Sequence, residues 1–529
     1  MASRYWVGGT GNWDATTTHW SATSGGAGGA SVPTSADDVF FNSLSNATGY
    51  TVTLTATANC KSISVSGPST GIVTVAGTTA LNCYGSFTLA ASGVTWTHSG
   101  AKNFVATTTG WTIRTNGVSI AGALAFSGVG GGWTLGSALT TSGTCTVTAG
   151  TLSLSSYTLT CSGFTSASGT RTLAFGTGNI TATGSGIACS ISSAGLTITG
   201  TPVINFTYSG AAARTISSIL SISLNITAGT GTIAGTFEAF NVNFTGYTGA
   251  FSANTASIYG DLIFDAGMTV AANANVLTLN SLKTSKTLDT KGVVIDRPVT
   301  LNGGGGTWTL ASNLNVGSPI SLRTLTLTAG TLATSGYRVT CGAFSSTGST
   351  TRSLSLGSSL IDCYGNWTVS GTGVTITPGT STITMYPVTA SSTFAGGGLT
   401  YATLTANVGP SFSLIITGSN TFDSLLVSAS TAYLTLAAGS TQTVTNFDLS
   451  GGSGGSYAYL NSTSAGGTAT LSKASGTITQ DWLYMQDSTA TGGATWNAGS
   501  NSVNSGNNSG WIFGAPPVTV NANFFMFFG

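Results

Sequence analysis

One long stretch of this 529-residue chain is written twice. Gly130 to Gly186 and Gly304 to Gly371 carry the same landmarks in the same order. Trp133 answers to Trp308, Ala149-Gly150-Thr151-Leu152 to Ala329-Gly330-Thr331-Leu332, Tyr157 to Tyr337, Cys161 to Cys341, Phe164 to Phe344 and Arg171 to Arg352, at a shift of 175 to 181 residues. Repetition of this kind means that one structural unit is stacked on copies of itself. The duplication therefore predicts a lengthened repetitive body. Trp133, Trp308, Cys161 and Cys341 would be core positions, and a functional surface would lie at the ends or in the break between the copies.

The text within and around the repeat consists of short runs of period two. Tyr50-Thr51-Val52-Thr53-Leu54-Thr55, Lys61-Ser62-Ile63-Ser64-Val65, Leu196-Thr197-Ile198-Thr199 and Leu325-Thr326-Leu327-Thr328 place apolar residues on one face and hydroxyls on the other, as half-buried strands do. Cys60 to Cys83 spans 23 residues and Cys341 to Cys363 spans 22, so each pair would occupy one inward position on successive coils. Tyr84-Gly85, Tyr259-Gly260 and Tyr364-Gly365 read as tight corners between strands. The prediction is an all-β, elongated parallel β-helix or solenoid with coils of about 20–23 residues and distinct terminal caps. Some 20 coils stacked about 4.8 Å apart would give a rod on the order of 100 Å long. A string of small β-sandwich domains has the same local text and is the alternative. The domain reading is an N-terminal Trp-rich cap over 1–48, a first solenoid part over 49–303, a duplicated part over 304–450 and a C-terminal module over 451–529. In the cap, Trp6, Trp13 and Trp20 would cover the open edge of the first coil.

Composition narrows the function classes. Charged residues make up only 5%, yet 11 Trp, 15 Tyr and 23 Phe argue against disorder. A net charge of +1 offers no basic footprint for nucleic acid or an anionic bilayer. Seven cysteines cannot all pair, and with no CxxC and only His19 and His98 the thiols read as stacked core residues rather than metal ligands. No metal or other cofactor is expected. The opening MASRYWVGGTGNW lacks the apolar run of a signal peptide, and no stretch of 18 apolar residues follows.

Chemistry has few places to sit. Glycoside hydrolysis needs paired carboxylates, and Glu238 is the sole glutamate. Asp261 and Asp265 would share a strand face about 13 Å apart, leaving Asp289 with Asp296, or acids from neighbouring coils, as the remaining pairs. Neither histidine has the context of a nucleophilic triad, and the glycines at 303–306 lack the Lys-Ser of a phosphate loop. Thr-x-Thr rows could order water as ice-binding ladders do, but threonine is simply favoured on exposed strand faces. Lys283 to Arg297 concentrates six of the chain's 14 basic and 13 acidic residues and reads as an exposed loop or contact surface with weak local ion pairs. The terminal VTVNANFFMFFG would be an aggregation hazard in a free monomer, so Phe524, Phe525, Met526, Phe527 and Phe528 are the expected oligomer or anchoring contact.

Two terminal passages carry a resemblance. RYWVGGTGNWDATTTHWSATSGGAGGASVPTSADDVFF resembles the start of repetitive β-solenoid virion proteins of tailed bacteriophages, and QDSTATGGATWNAGSNSVNSGNNSGWIF looks like their closing module. The first passage is also loosely similar to the openings of autotransporter-like bacterial surface repeat proteins. The phage resemblance implies a non-enzymatic tail fibre, tail spike or head fibre. Such a protein is made in the host cytoplasm, projects from the virion, is often a homotrimer, and touches other virion proteins and host-surface glycan. It carries no catalytic residues onto this chain. Purely architectural decoration of the capsid or tail, and a polysaccharide depolymerase spike, are the alternatives.

Overall fold

The computed structural model describes residues 2–514 apart from 220, 319–320, 389, 409–410, 428–430, 450 and 453. The contact expected of Phe524, Phe525, Met526, Phe527 and Phe528 lies outside the described residues. Among the described residues there are 62 strands and no helix. They pair almost entirely in parallel, as a β-solenoid of about 21 turns in all, whereas sandwiches are built from antiparallel pairs. The chain divides into two compact units, 1–269 and 270–529.

In the first unit each turn contributes up to three short strands, one per face. Ile63–Val65, Val73–Gly77 and Leu81–Cys83 make one such turn, and Phe87–Leu89, Val94–Trp96 and Lys102–Phe104 lie in register on the next. Alternation decides which side chains enter: Tyr50, Val52 and Leu54 are buried while Thr51 and Thr53 are partly exposed. Each large apolar residue so buried contributes about 1.5–3 kcal/mol. Register is held while corner length varies, so Asn205 and Asn225 are neighbours 20 residues apart and Asn179 and Asn205 neighbours 26 apart.

Side chains of one kind stack along both surfaces of the sheets. Outside, Asn82 Nδ2 donates to Asn59 Oδ1 at 3.0 Å and Asn103 Nδ2 to Asn82 Oδ1 at 2.8 Å. Inside, Cys60 lies on Cys83, and every cysteine is a buried free thiol. Burial pushes the Cys161 thiol up to about 12, far from a reactive thiolate. At the start of the unit Trp20–Ser21 runs antiparallel to Ser3–Trp6 and closes that edge. Trp6, Trp13 and Trp20 are buried together, with Trp20 edge-on to the other two at 5.2 and 5.0 Å.

The second unit repeats this construction. Trp308 and Cys341 are as buried as Trp133 and Cys161, and Phe344, Trp367 and Phe394 stack face to face at 4.2 and 6.0 Å. Val299–Leu310 and Thr324–Ala333 each bend across two faces without a break. Gly365 shows why its corner is glycine: a Cβ there would stand 2.6 Å from the Gly342 carbonyl of the preceding coil. Gly365→Ala is expected to destabilise the second unit by about 1–3 kcal/mol through that backbone overlap, read as a lower denaturation midpoint.

One finding is new and one expectation changes. The matched arginines are buried in the interior: Arg171 is 1% exposed and Arg352 0%. Arg171 donates six hydrogen bonds, to Ser166 Oγ and to the carbonyls of Ser166, Ser168, Gly169, Ser192 and Ala194. The Lys283–Arg297 segment is only partly an exposed loop, because it contains the strands Lys286–Asp289 and Val294–Ile295 and because Arg297 is buried, with its Nε on the Asn275 carbonyl at 2.9 Å.

Candidate functional site

Several carboxylates are engaged in ion pairs and turn hydrogen bonds. Asp289 pairs with Lys291 at 2.6 Å, and Asp296 pairs with Arg323 at 2.8 Å while accepting from Ser321. Hydrogen bonds from Ser321 and Arg323 hold Asp296 below the usual carboxylate range. Asp265 accepts the backbone N–H groups of Gly246 and Gly267, which lowers its pKa and fixes a turn. The strand between Asp261 and Asp265 is only Leu262–Ile263, so the long shared face expected for the two acids does not form. Glu238 is exposed on Thr236–Ala239. Among the described residues no three His, Cys, Asp or Glu side chains gather where a metal ion could sit.

Both histidines serve packing. His19 stacks on Trp6 at 4.7 Å, and its Nδ1 donates to the Val7 carbonyl at 2.8 Å. His98 is wholly buried, with Nε2 donating to the Thr79 carbonyl at 2.7 Å. Beside it the buried Lys102 ammonium donates to the carbonyls of His98 and Ala121.

What the second unit does gather on a solvent face is aromatic rings. On Tyr433–Leu436, Ala458–Ser462 and Leu483–Met485 the inward positions are Leu434, Leu436, Ala458, Leu460, Leu483 and Met485. Alternation then turns Tyr433, Tyr459 and Tyr484 outward, and the register aligns them on consecutive coils. Tyr433 and Tyr459 lie parallel at 4.2 Å and 2°, and Tyr484 follows Tyr459 at 5.4 Å. Tyr457 and Trp482 add a second row 5.8 Å apart, with Tyr457 also 6.4 Å from Tyr484. All five are half-buried, and the Tyr484 hydroxyl accepts from Ser505 Oγ at 2.9 Å. Burial, then the neighbouring Tyr459 phenol, push the Tyr433 hydroxyl above its ordinary pKa, keeping it a neutral donor. Thr435 and Asn461 flank the row with further polar groups.

A smaller cluster of the same kind stands on another face. Tyr364 and Tyr386 stack at 4.9 Å beside the Arg338–Asp362 ion pair, whose carboxylate is almost covered. Stacked ring pairs contribute roughly 0.5–1.5 kcal/mol beyond the area they bury. A strip of rings and hydroxyls without clustered cations can take a ligand that offers C–H faces and hydroxyls of its own.

Compared with known proteins, the chain matches no family model, no curated protein and no solved structure. The chemistry of this surface is therefore read from its own residues.

Proposed function

We propose that the chain is a structural protein of a bacteriophage virion, a fibre or spike that projects from the particle and touches host-surface glycan. The observation that carries this reading is the outward strip of Tyr433, Tyr457, Tyr459, Trp482 and Tyr484. Pyranose rings present apolar C–H faces ringed by hydroxyls. Amphipathic Tyr and Trp side chains meet both, with an apolar body and a polar tip. Nucleic-acid bases would also stack on such rings, but they bring phosphates that need clustered Lys or Arg, and the chain carries 14 of these in 529 residues. The opening and closing passages support the virion setting, and a coil body with little charge suits an exposed projection. A homotrimer with other virion proteins at its base is the proposed assembly, measurable as mass by light scattering.

The test is adsorption. The double substitution Tyr459→Ala with Trp482→Ala should reduce retention of the purified protein on host-surface polysaccharide by tenfold or more while leaving the melting profile close to the parent. Equal retention would remove the strip from recognition. Release of free oligosaccharides from the same polysaccharide would favour a depolymerase, and labelled protein seen away from any host-facing part of the particle would leave only an architectural role.

A further inference from the structure

A second surface of the same unit is a groove built over a bend that three consecutive coils share. Thr400–Ala406, Thr421–Val427 and Thr441–Asp448 alternate up to the buried Tyr401, Phe422 and Val444. Each then turns two successive residues outward, Ala402-Thr403, Asp423-Ser424 and Thr445-Asn446, before Leu404, Leu425 and Phe447 return to the core. Register is kept on both sides of the bend. The result is an open groove of about 390 Å³ whose polar lining includes Thr380, Thr400, Thr403, Thr421, Thr445 and Asp423.

We propose that this groove binds a linear, uncharged hexose polymer lying across the strands, one sugar to a coil. The proposal rests on the glycan-contact reading but places a separate site away from the aromatic strip. Two features point to such a ligand. The first is periodicity: Thr400, Thr421 and Thr443 stand in register, as do Thr403, Ser424 and Asn446. Adjacent strands lie about 4.7–4.9 Å apart, close to the advance of one residue in an extended pyranose chain, so successive sugars meet the Thr400 and Thr421 hydroxyls at one level of the lining.

The second feature is Asp423. Its side chain is exposed in the groove and makes no hydrogen bond or ion pair with any described residue. A carboxylate accepts two hydrogen bonds side by side, which fits a vicinal diol. The groove lining itself holds no Lys or Arg, and the Lys473 ammonium at its edge is turned onto the Thr445 carbonyl, so an anionic polymer would meet the Asp423 carboxylate first.

The experiment is affinity electrophoresis of the full chain in gels cast with dextran, mannan, galactan or polygalacturonate. At least one neutral polymer should retard the protein, and polygalacturonate should not. Thr403→Trp, which fills the groove from an outward position, and Asp423→Ala should each weaken that retardation tenfold or more, whereas Tyr459→Ala should leave it within twofold. Retardation by polygalacturonate alone, retardation indifferent to Thr403→Trp, or no retardation by any neutral polymer would overturn the groove. Adsorption to intact host cells decides the broader reading separately: cells bound normally by Thr403→Trp and weakly by the Tyr459→Ala, Trp482→Ala pair would sink the groove and leave the strip standing.

Discussion

Replacing Arg171 with alanine is expected to destabilise the first unit by about 4 kcal/mol or more, near the upper end of what single substitutions do. The guanidinium is 1% exposed and faces no carboxylate; its charge is met by Ser166 Oγ and five backbone carbonyls from two adjacent corners. Removal leaves a cavity and a ring of buried acceptors without donors, and each such loss costs about 1–3 kcal/mol. Arg171→Met, which restores most of the volume, should recover only the cavity part. The duplicated copy supplies a control: Arg352 donates three bonds, all from one nitrogen, to Gly348, Ser370 and Thr372. Arg352→Ala should therefore cost distinctly less. Denaturant titration with hydrogen exchange over residues 166–195 reads the effect where it arises, because repeat arrays open locally. Equal losses for the two arginines would contradict the account.

The second large effect is a fall in stability on the acid side, set by His98. Burial first, and the nearby Lys102 ammonium second, lower its pKa from 6.5 to about 4. Between those values the unfolded chain binds a proton that the folded chain refuses. Stability is then complete above pH 6.5 and declines as pH falls toward 4, by on the order of 3 kcal/mol, since one pKa unit corresponds to about 1.4 kcal/mol. The carboxylates held low by hydrogen bonds, such as Asp265 and Asp296, lose their contribution below 3.8, outside this window. Urea midpoints between pH 4 and 7 should slope in the parent and flatten in His98→Gln, which keeps a donor for the Thr79 carbonyl.

Lys102 acts in the opposite range, because burial lowers it from 10.5 to about 8. The folded chain gives up that proton first, so its influence is a rise in stability from pH 8 to 10.5. The buried thiols oppose the rise. Cys161, whose pKa is raised to about 12, keeps its proton while the unfolded thiol ionises, which removes stability above pH 9. The Lys102 effect is therefore sought in the difference between the parent and Lys102→Met.

The strands and the solenoid could be read from the chain because alternation is a local property: Tyr50, Val52 and Leu54 declare their side of the sheet with no knowledge of the next coil. The stacked thiols could be read for the same reason, since Cys60 and Cys83 both stand at inward positions. The aromatic strip could not. Its rings come together only after register is known, and Tyr433 to Tyr459 is a longer interval than the 23 residues joining Asn59 to Asn82. Corners absorb such differences without disturbing pairing, so spacing in the chain does not reveal adjacency in space. Arg171, Arg297 and Lys102 were hidden by a different cause. Their residue type argues for solvent; carbonyls at the coil corners receive Arg171 and Lys102 in the interior, while Arg297 has one such carbonyl, that of Asn275.

The amide ladder of Asn59, Asn82 and Asn103 and the ring stack of Tyr433 and Tyr459 share a property that matters outside the test tube. Dissolved ions weaken attraction between exposed charges and leave hydrogen-bonded amides and stacked rings almost untouched. Cohesion between the coils that carry these ladders depends on the second kind of contact, so those stretches should be as firm in brine as in rainwater, and evaporation to concentrated salt should not loosen them.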